Sequence, residues 1–242
     1  MKALFLMMVV AGAATASDID AACDEAAYLL FNRHLDESYL DSAYGLLGSL
    51  REENPENERV LYLWSRIHVQ KGDDALNRGK KLSYYEQARA IAETLIALNG
   101  RSPEGHLWWA VAHGRIGQTR GVLNSLFMIP DLKREIGLAV ELDPGSATAY
   151  DVWGVFFYEV PSFVGGDLNR SEEYLRQAIQ VDPNYTVAYL DLARTLAKMK
   201  RWKDARAQLS AMLGRDDPTF PADFYLDDKP AAEKLLREIE DR

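Results

Sequence analysis

The sequence predicts an all-α solenoid of about five helix pairs followed by a C-terminal capping helix, and three spacings predict it. Pro55, Pro144 and Pro183 each stand just beyond an amphipathic run, in "ENPEN", "LDPGS" and "VDPNY", where a residue without a backbone N–H ends a helix. Ten positions after each comes a small or compact residue, Ser65, Gly154 and Ala193. The distance from Phe31 to Ser65 is 34 residues, a period at which one helix–turn–helix unit repeats in stacked arrays.

The units follow in order. "AAYLLFNRHL", "RVLYLWSRIH", "HLWWAVAHG", "AYDVWGVFF" and "AYLDLARTL" carry large residues three and four apart around Phe31, Ser65, Ala110, Gly154 and Ala193, the pattern of one buried helical face. Twelve residues on, the second helix contributes Ala43 in the first unit and Ala205 in the fifth; its counterparts Ala88, Leu132 and Ser171 are displaced by 11, 10 and 5 residues. Each displacement is an insertion between the two helices of a unit. The predicted pairs span about 20–52, 57–99, 103–142, 147–181 and 185–213. In the tail, Asp228 reads as a cap, Pro230 as a helix start, and Ala232, Leu235, Leu236 and Ile239 as the apolar stripe of a capping helix over about 229–240.

"AYDVWGVFF" with Ser171, Ala178 and Pro183, and "AYLDLARTL" with Trp202 and Ala205, resemble tetratricopeptide repeats, in which small residues let paired helices approach and large ones fill the groove of the next unit. A narrower resemblance covers about residues 57–240: "GHLWWAVAHGRIG", "IPDLKREIGLAVELDP", "VPSFVGGDLNRSEEYLRQAI" and "AAEKLLREI" are similar to the T-component proteins of tripartite ATP-independent periplasmic (TRAP) transporters. That resemblance implies a periplasmic protein without enzyme activity that associates with a transporter's solute-binding subunit and self-associates as a homo-oligomer.

The chain carries 37 acidic against 28 basic residues, a formal net charge of -9, which argues against a nucleic-acid partner because such binding rests on neutralising phosphates. Met1-Lys2, the apolar run "ALFLMMVVAGAATA" and the small residues before Asp18 read as a cleavable export signal over residues 1–16, which gives a periplasmic or otherwise exported mature chain. Cys23 is the single cysteine, so no intramolecular disulfide forms. Asp18 and Asp20 break the apolar run ahead of it, so Cys23 reads as a helix residue rather than a lipidation site.

No catalytic or metal-binding constellation emerges, and no cofactor is expected. His34, His68, His106 and His113 form no HExxH pattern, and the tryptophans Trp64, Trp109 and Trp153 adjoin the small registering residues, which suits core packing over ligand stacking. Gly165-Gly166-Asp167 reads as a turn and cap, its amides contested by Asp167 if an anion were to use them.

Function is therefore expected on a surface. The concave side of such a solenoid is lined by first helices, and helical spacing assigns to it Tyr28, Asn32, Tyr62, Arg66, Leu107, Val111, Asp151, Val155, Tyr158, Leu190 and Arg194. Tyr, Arg and aliphatic residues together suit a protein or peptide partner. The alternative surface is the insertion edge, with Arg78, Lys80 and Lys81 in a basic loop. The insertion of the third unit, "VLNSLFMIP", makes Val122, Leu123, Leu126, Phe127 and Met128 either a short buried helix or a contact patch. A carrier holding a small apolar ligand in the groove or in an oligomer pore is the competing function.

Overall fold

The computed structural model describes residues 15–121 and 126–242. Its helices are α1 (Ala16–Phe31), α2 (Tyr39–Glu53), α3 (Glu58–Asp74), α4 (Arg78–Leu98), α5 (Pro103–Arg120), α6 (Ile129–Leu142), α7 (Ala147–Glu159), α8 (Leu168–Val181), α9 (Val187–Lys198), α10 (Trp202–Leu213) and α11 (Lys229–Glu238). They pair antiparallel in sequence order, α1 with α2 through α9 with α10, and consecutive pairs stack into a tetratricopeptide-like solenoid. Among the described residues no helix is long and apolar enough to cross a membrane. Apart from Thr15 and Ala16, the expected export signal lies outside the described residues, as do Val122 and Leu123.

The small residues do what their spacing predicts. Ser65 is buried and its hydroxyl donates to the Ala88 carbonyl at 2.9 Å, tying α3 to α4. A Cβ on Gly154 would stand 2.6 Å from Leu175 Cγ and 3.2 Å from the Ser171 carbonyl, so α7 and α8 approach as closely as they do only because that Cβ is missing. Ala193 and Ala205 are both fully buried in the last pair. Side-chain caps fix many of the starts: Thr15 and Asp18 form a capping box on α1, and Asn57, Asn77, Ser102, Ser146 and Asp167 each accept from the first turn that follows them.

The first unit corrects the expected register. Phe31 is the last residue of α1, not a mid-helix residue, because residues 32–38 make a longer turn than the 199–201 connection of the fifth unit. The residues packed with Ala43 therefore lie one to two turns earlier, at Cys23 and Ala26, both fully buried; burial pushes the Cys23 thiol up. The insertion of the second unit is also largely helical: α3 extends to Asp74 and α4 begins at Arg78, so Arg78, Lys80 and Lys81 form the first turn of α4 under the Asn77 cap. In the fourth unit α7 stops before Pro161, a 3-10 turn covers Ser162–Val164, and Gly165 takes φ 108°, a left-handed conformation suited to glycine.

The C-terminal end departs furthest from expectation. Residues 221–238 are one continuous helical run, Pro221–Asp223 leading through a π-helical turn, Phe224–Asp228, into α11. Asp228 is consequently helical, makes no side-chain cap and is buried, in contrast to the predicted cap. The capping role itself is met: Ala232 and Ile239 are buried, with Leu235 and Leu236 packed beside them, on the core formed by α9 and α10.

Candidate functional site: a clasped concave groove

The first helices line a groove of about 1130 Å³ that runs along the concave face. The stripes facing it follow the helical period: Trp108, Val111 and Arg115 on α5, Asp151, Val155 and Tyr158 on α7, and Val187, Leu190 and Arg194 on α9. Arg66, Val111, Asp151, Val155, Tyr158, Leu190 and Arg194 thus lie where helical spacing placed them. Four others do not line it. Leu107 is buried in the core against Ala139 and Ala149, one residue out of phase with Trp108. Tyr62 lies behind Arg66 and accepts a hydrogen bond from its guanidinium at 3.2 Å. Tyr28 stands exposed with its ring 6.4 Å from Tyr39, and the Asn32 amide donates to the Tyr28 carbonyl at 2.9 Å, capping α1.

At the insertion edge, Leu126 and Met128 line the groove, while Phe127 is 87% exposed, so of the two alternatives the buried helix does not hold for Phe127. Lys81 donates to the Asp73 carbonyl at 3.0 Å, Arg78 reaches the Arg120 carbonyl at 3.5 Å, and Lys80 is exposed. The basic edge is thus a helix start partly tied to its own neighbours.

Sequence reasoning missed the closure of the groove. The segment that follows α10 crosses back to the first unit, where Arg33, itself buried, forms ion pairs with Asp223 at 2.5 Å and Asp227 at 3.0 Å. The Arg66 guanidinium lies over two neighbouring rings, 4.3 Å from Phe31 and 4.0 Å from Phe220, whose centroids are 5.0 Å apart, and 3.8 Å from the Asp223 carboxylate. His34 stacks on Tyr225 at 5.0 Å. These contacts clasp the two ends of the solenoid across the groove. The Arg33 pairs join residues 190 and 194 positions apart, for which the only sequence signal was an arginine in "FNRHL" and the acidic "DFYLDD".

The floor of the groove is acidic. Burial, then Asp191 and Asp228, push the Asp151 carboxyl well above the ordinary carboxylate range; burial, then Asp223 and Asp191, push Asp228 up to about 8. Asp191 is raised by burial although Arg194 pairs with it at 2.6 Å. The histidines are structural: His106 bridges to Glu135 at 2.5 Å and to the Gly100 carbonyl at 3.1 Å, His68 bonds the Trp64 carbonyl at 2.7 Å, and His113 stacks on Trp109 at 4.3 Å. Among the described residues no cluster of His, Cys, Asp or Glu has a metal-binding arrangement.

The family model described as regulator of microtubule dynamics protein 1-3 matches residues 26–163, more than half of the chain. The chain belongs to this family. A tetratricopeptide-repeat model matches residues 165–222, so the two together cover nearly all of the stacked pairs. The chain is 25% identical over 216 residues to regulator of microtubule dynamics protein 1 of Bos taurus, covering 81% of this chain and 65% of the relative. It is 27% identical over 192 residues to the Pongo abelii protein of the same name, covering 71% of this chain and 60% of the relative. The chain thus spans less than two thirds of the length of these curated relatives. Among solved structures, a thermophilic tetratricopeptide-repeat protein of Thermus thermophilus superposes with a TM-score of 0.64 at 19% identity, covering 87% of this chain and 99% of that one. PilF of Pseudomonas aeruginosa superposes with a TM-score of 0.51 at 14% identity, covering 93% of this chain and 95% of that one. Both establish the repeat fold and nothing about ligands.

Proposed function

We propose that this chain is a non-catalytic binding protein whose clasped groove holds an extended segment of a partner protein. The observation that carries this reading is the groove itself. It offers about 1130 Å³ of space, an apolar wall from Trp108, Val111, Val155 and Leu190, and Arg66, Asp151 and Arg194 as polar points that fix register. A second reading, a carrier for a small apolar ligand, is favoured by one feature: the clasp joining the two ends turns an open concave face into a bounded cavity of a volume that such ligands fill.

The finer partner rests on less. The solute-binding subunit of a TRAP-type transporter is supported by the resemblance around "VPSFVGGDLNRSEEYLRQAI", whereas the matched relatives are named for microtubule dynamics. Export and self-association are parts of the same proposal, export resting on the apolar residues after Lys2 and self-association on the transporter-component resemblance.

The test is site-specific photocrosslinking in cells, with a photoreactive phenylalanine derivative at Tyr158 in the groove, or at Phe127 on the insertion edge. The proposal expects one protein adduct from position 158. Adducts only from position 127 would move the interface to the edge, and native mass spectrometry showing a bound small molecule with no protein adduct would replace the scaffold by the carrier.

A further inference from the structure

The groove floor holds a buried carboxylate with one oxygen that the protein leaves without a hydrogen bond. Asp151 is 6% exposed, lines the cavity, and its Oδ1 makes no hydrogen bond. A buried carboxylate in that condition costs free energy whichever way it resolves, as an unpaired charge or as an acid with an orphaned oxygen. Asp228, which lines the same cavity, is nearly as buried and accepts only a long contact from the Thr186 hydroxyl at 3.4 Å. The arginines that line the groove are already engaged: Arg33 and Arg66 with Asp223, Arg115 with Asp73, and Arg194 with Asp191. The floor therefore has an excess of carboxylate over resident cation, concentrated at Asp151 and Asp228.

We propose that this floor is a subsite for the side-chain cation of a lysine or arginine carried by the bound partner segment, with Asp151 as its primary acceptor and Asp228 as the second. The inference rests on the groove being a peptide site. The complementarity is specific. Trp108, Val155 and Val187 would cover the aliphatic stem, as apolar surfaces do for long basic side chains, while the head group meets the acidic floor. A cation bound there completes the hydrogen bonding that Asp151 lacks and holds the carboxylates ionised, so the site discriminates against neutral and acidic side chains by leaving buried charge unpaired.

The experiment is selection of short random-sequence displayed peptides on the full chain, repeated on Asp151→Asn, Asp228→Asn and the groove-filling Val155→Trp, with circular dichroism confirming that each variant is folded. Peptides from the unsubstituted chain should carry Lys or Arg at one fixed position. They should lose about tenfold in affinity when that residue becomes norleucine or when Asp151 becomes Asn, and should not bind Val155→Trp. Selected peptides without a basic position, binding the chain and Asp151→Asn equally but not Val155→Trp, would overturn the subsite and leave the groove reading standing. Selection unaffected by Val155→Trp, or no selection at all, would overturn both.

Discussion

Replacing Arg66 with methionine should cost about 3 kcal/mol, a figure that follows from the clasp geometry. The guanidinium lies 4.3 Å from the Phe31 ring and 4.0 Å from the Phe220 ring, and its side chain is only 11% exposed. Each such cation–π contact is worth roughly 1–2 kcal/mol when largely desolvated. The partly exposed Asp223 at 3.8 Å adds at most about 1 kcal/mol. Methionine keeps some apolar contact with the rings, which brings the net loss to about 3 kcal/mol. For a domain of this size that corresponds to a fall in Tm of about 6–12 °C, read by thermal melts followed in the far-ultraviolet circular dichroism. Lysine at the same position should recover only part of the loss, because a compact ammonium lacks the broad delocalised guanidinium that reaches both rings. In a double-mutant cycle, Phe220→Leu should cost markedly less once Arg66 is gone. A methionine variant melting within about 1 °C of the parent, or strictly additive losses with Phe220→Leu, would refute the clasp as a stabilising contact.

Three further outcomes follow from the packing and the charges. Gly154→Val should destabilise by about 2–3 kcal/mol in urea titrations, because its Cβ would start 2.6 Å from Leu175 and 3.2 Å from the Ser171 carbonyl. Thr195→Val should cost about 1–3 kcal/mol by leaving the fully buried Ser171 hydroxyl without its 2.9 Å partner, and adding Ser171→Ala should recover much of that loss in the same titration. Asp228 is raised from an ordinary 3.8 to about 8, so between these values the folded state holds a proton the unfolded chain has released, and stability drains away as pH rises through that window. Asp228→Asn removes this penalty, and its Tm advantage over the parent should therefore be larger at about pH 9 than at about pH 5. A constant difference across that range would sink the assignment.

What could be read from the sequence was whatever repeats. Pro55, Pro144 and Pro183 mark helix ends two residues past Glu53, Leu142 and Val181, and Gly154 and Ala193 mark helix contacts, because every unit meets the same steric demand. Val155, Tyr158, Leu190 and Arg194 were placed on the groove by that same register. It failed at Phe31, where a longer turn slides the first helix, and at Leu107, where a one-residue phase error exchanges a core side chain for the groove-facing Trp108. Neither the Arg33 ion pairs nor the burial of Asp228 was legible. Both arise when the chain end returns to its beginning, and no local pattern records a contact between residues so far apart.

If the concave groove is the binding surface, methyl NMR of the full chain shows it most directly, using a displayed peptide selected on it or the adduct partner captured at position 158. The expected result is shifts at Val111, Val155 and Leu190, with the convex-side methyls of α2 and α10 unmoved. Shifts confined to the insertion edge or to the convex helices, with Val111, Val155 and Leu190 unchanged, would contradict it.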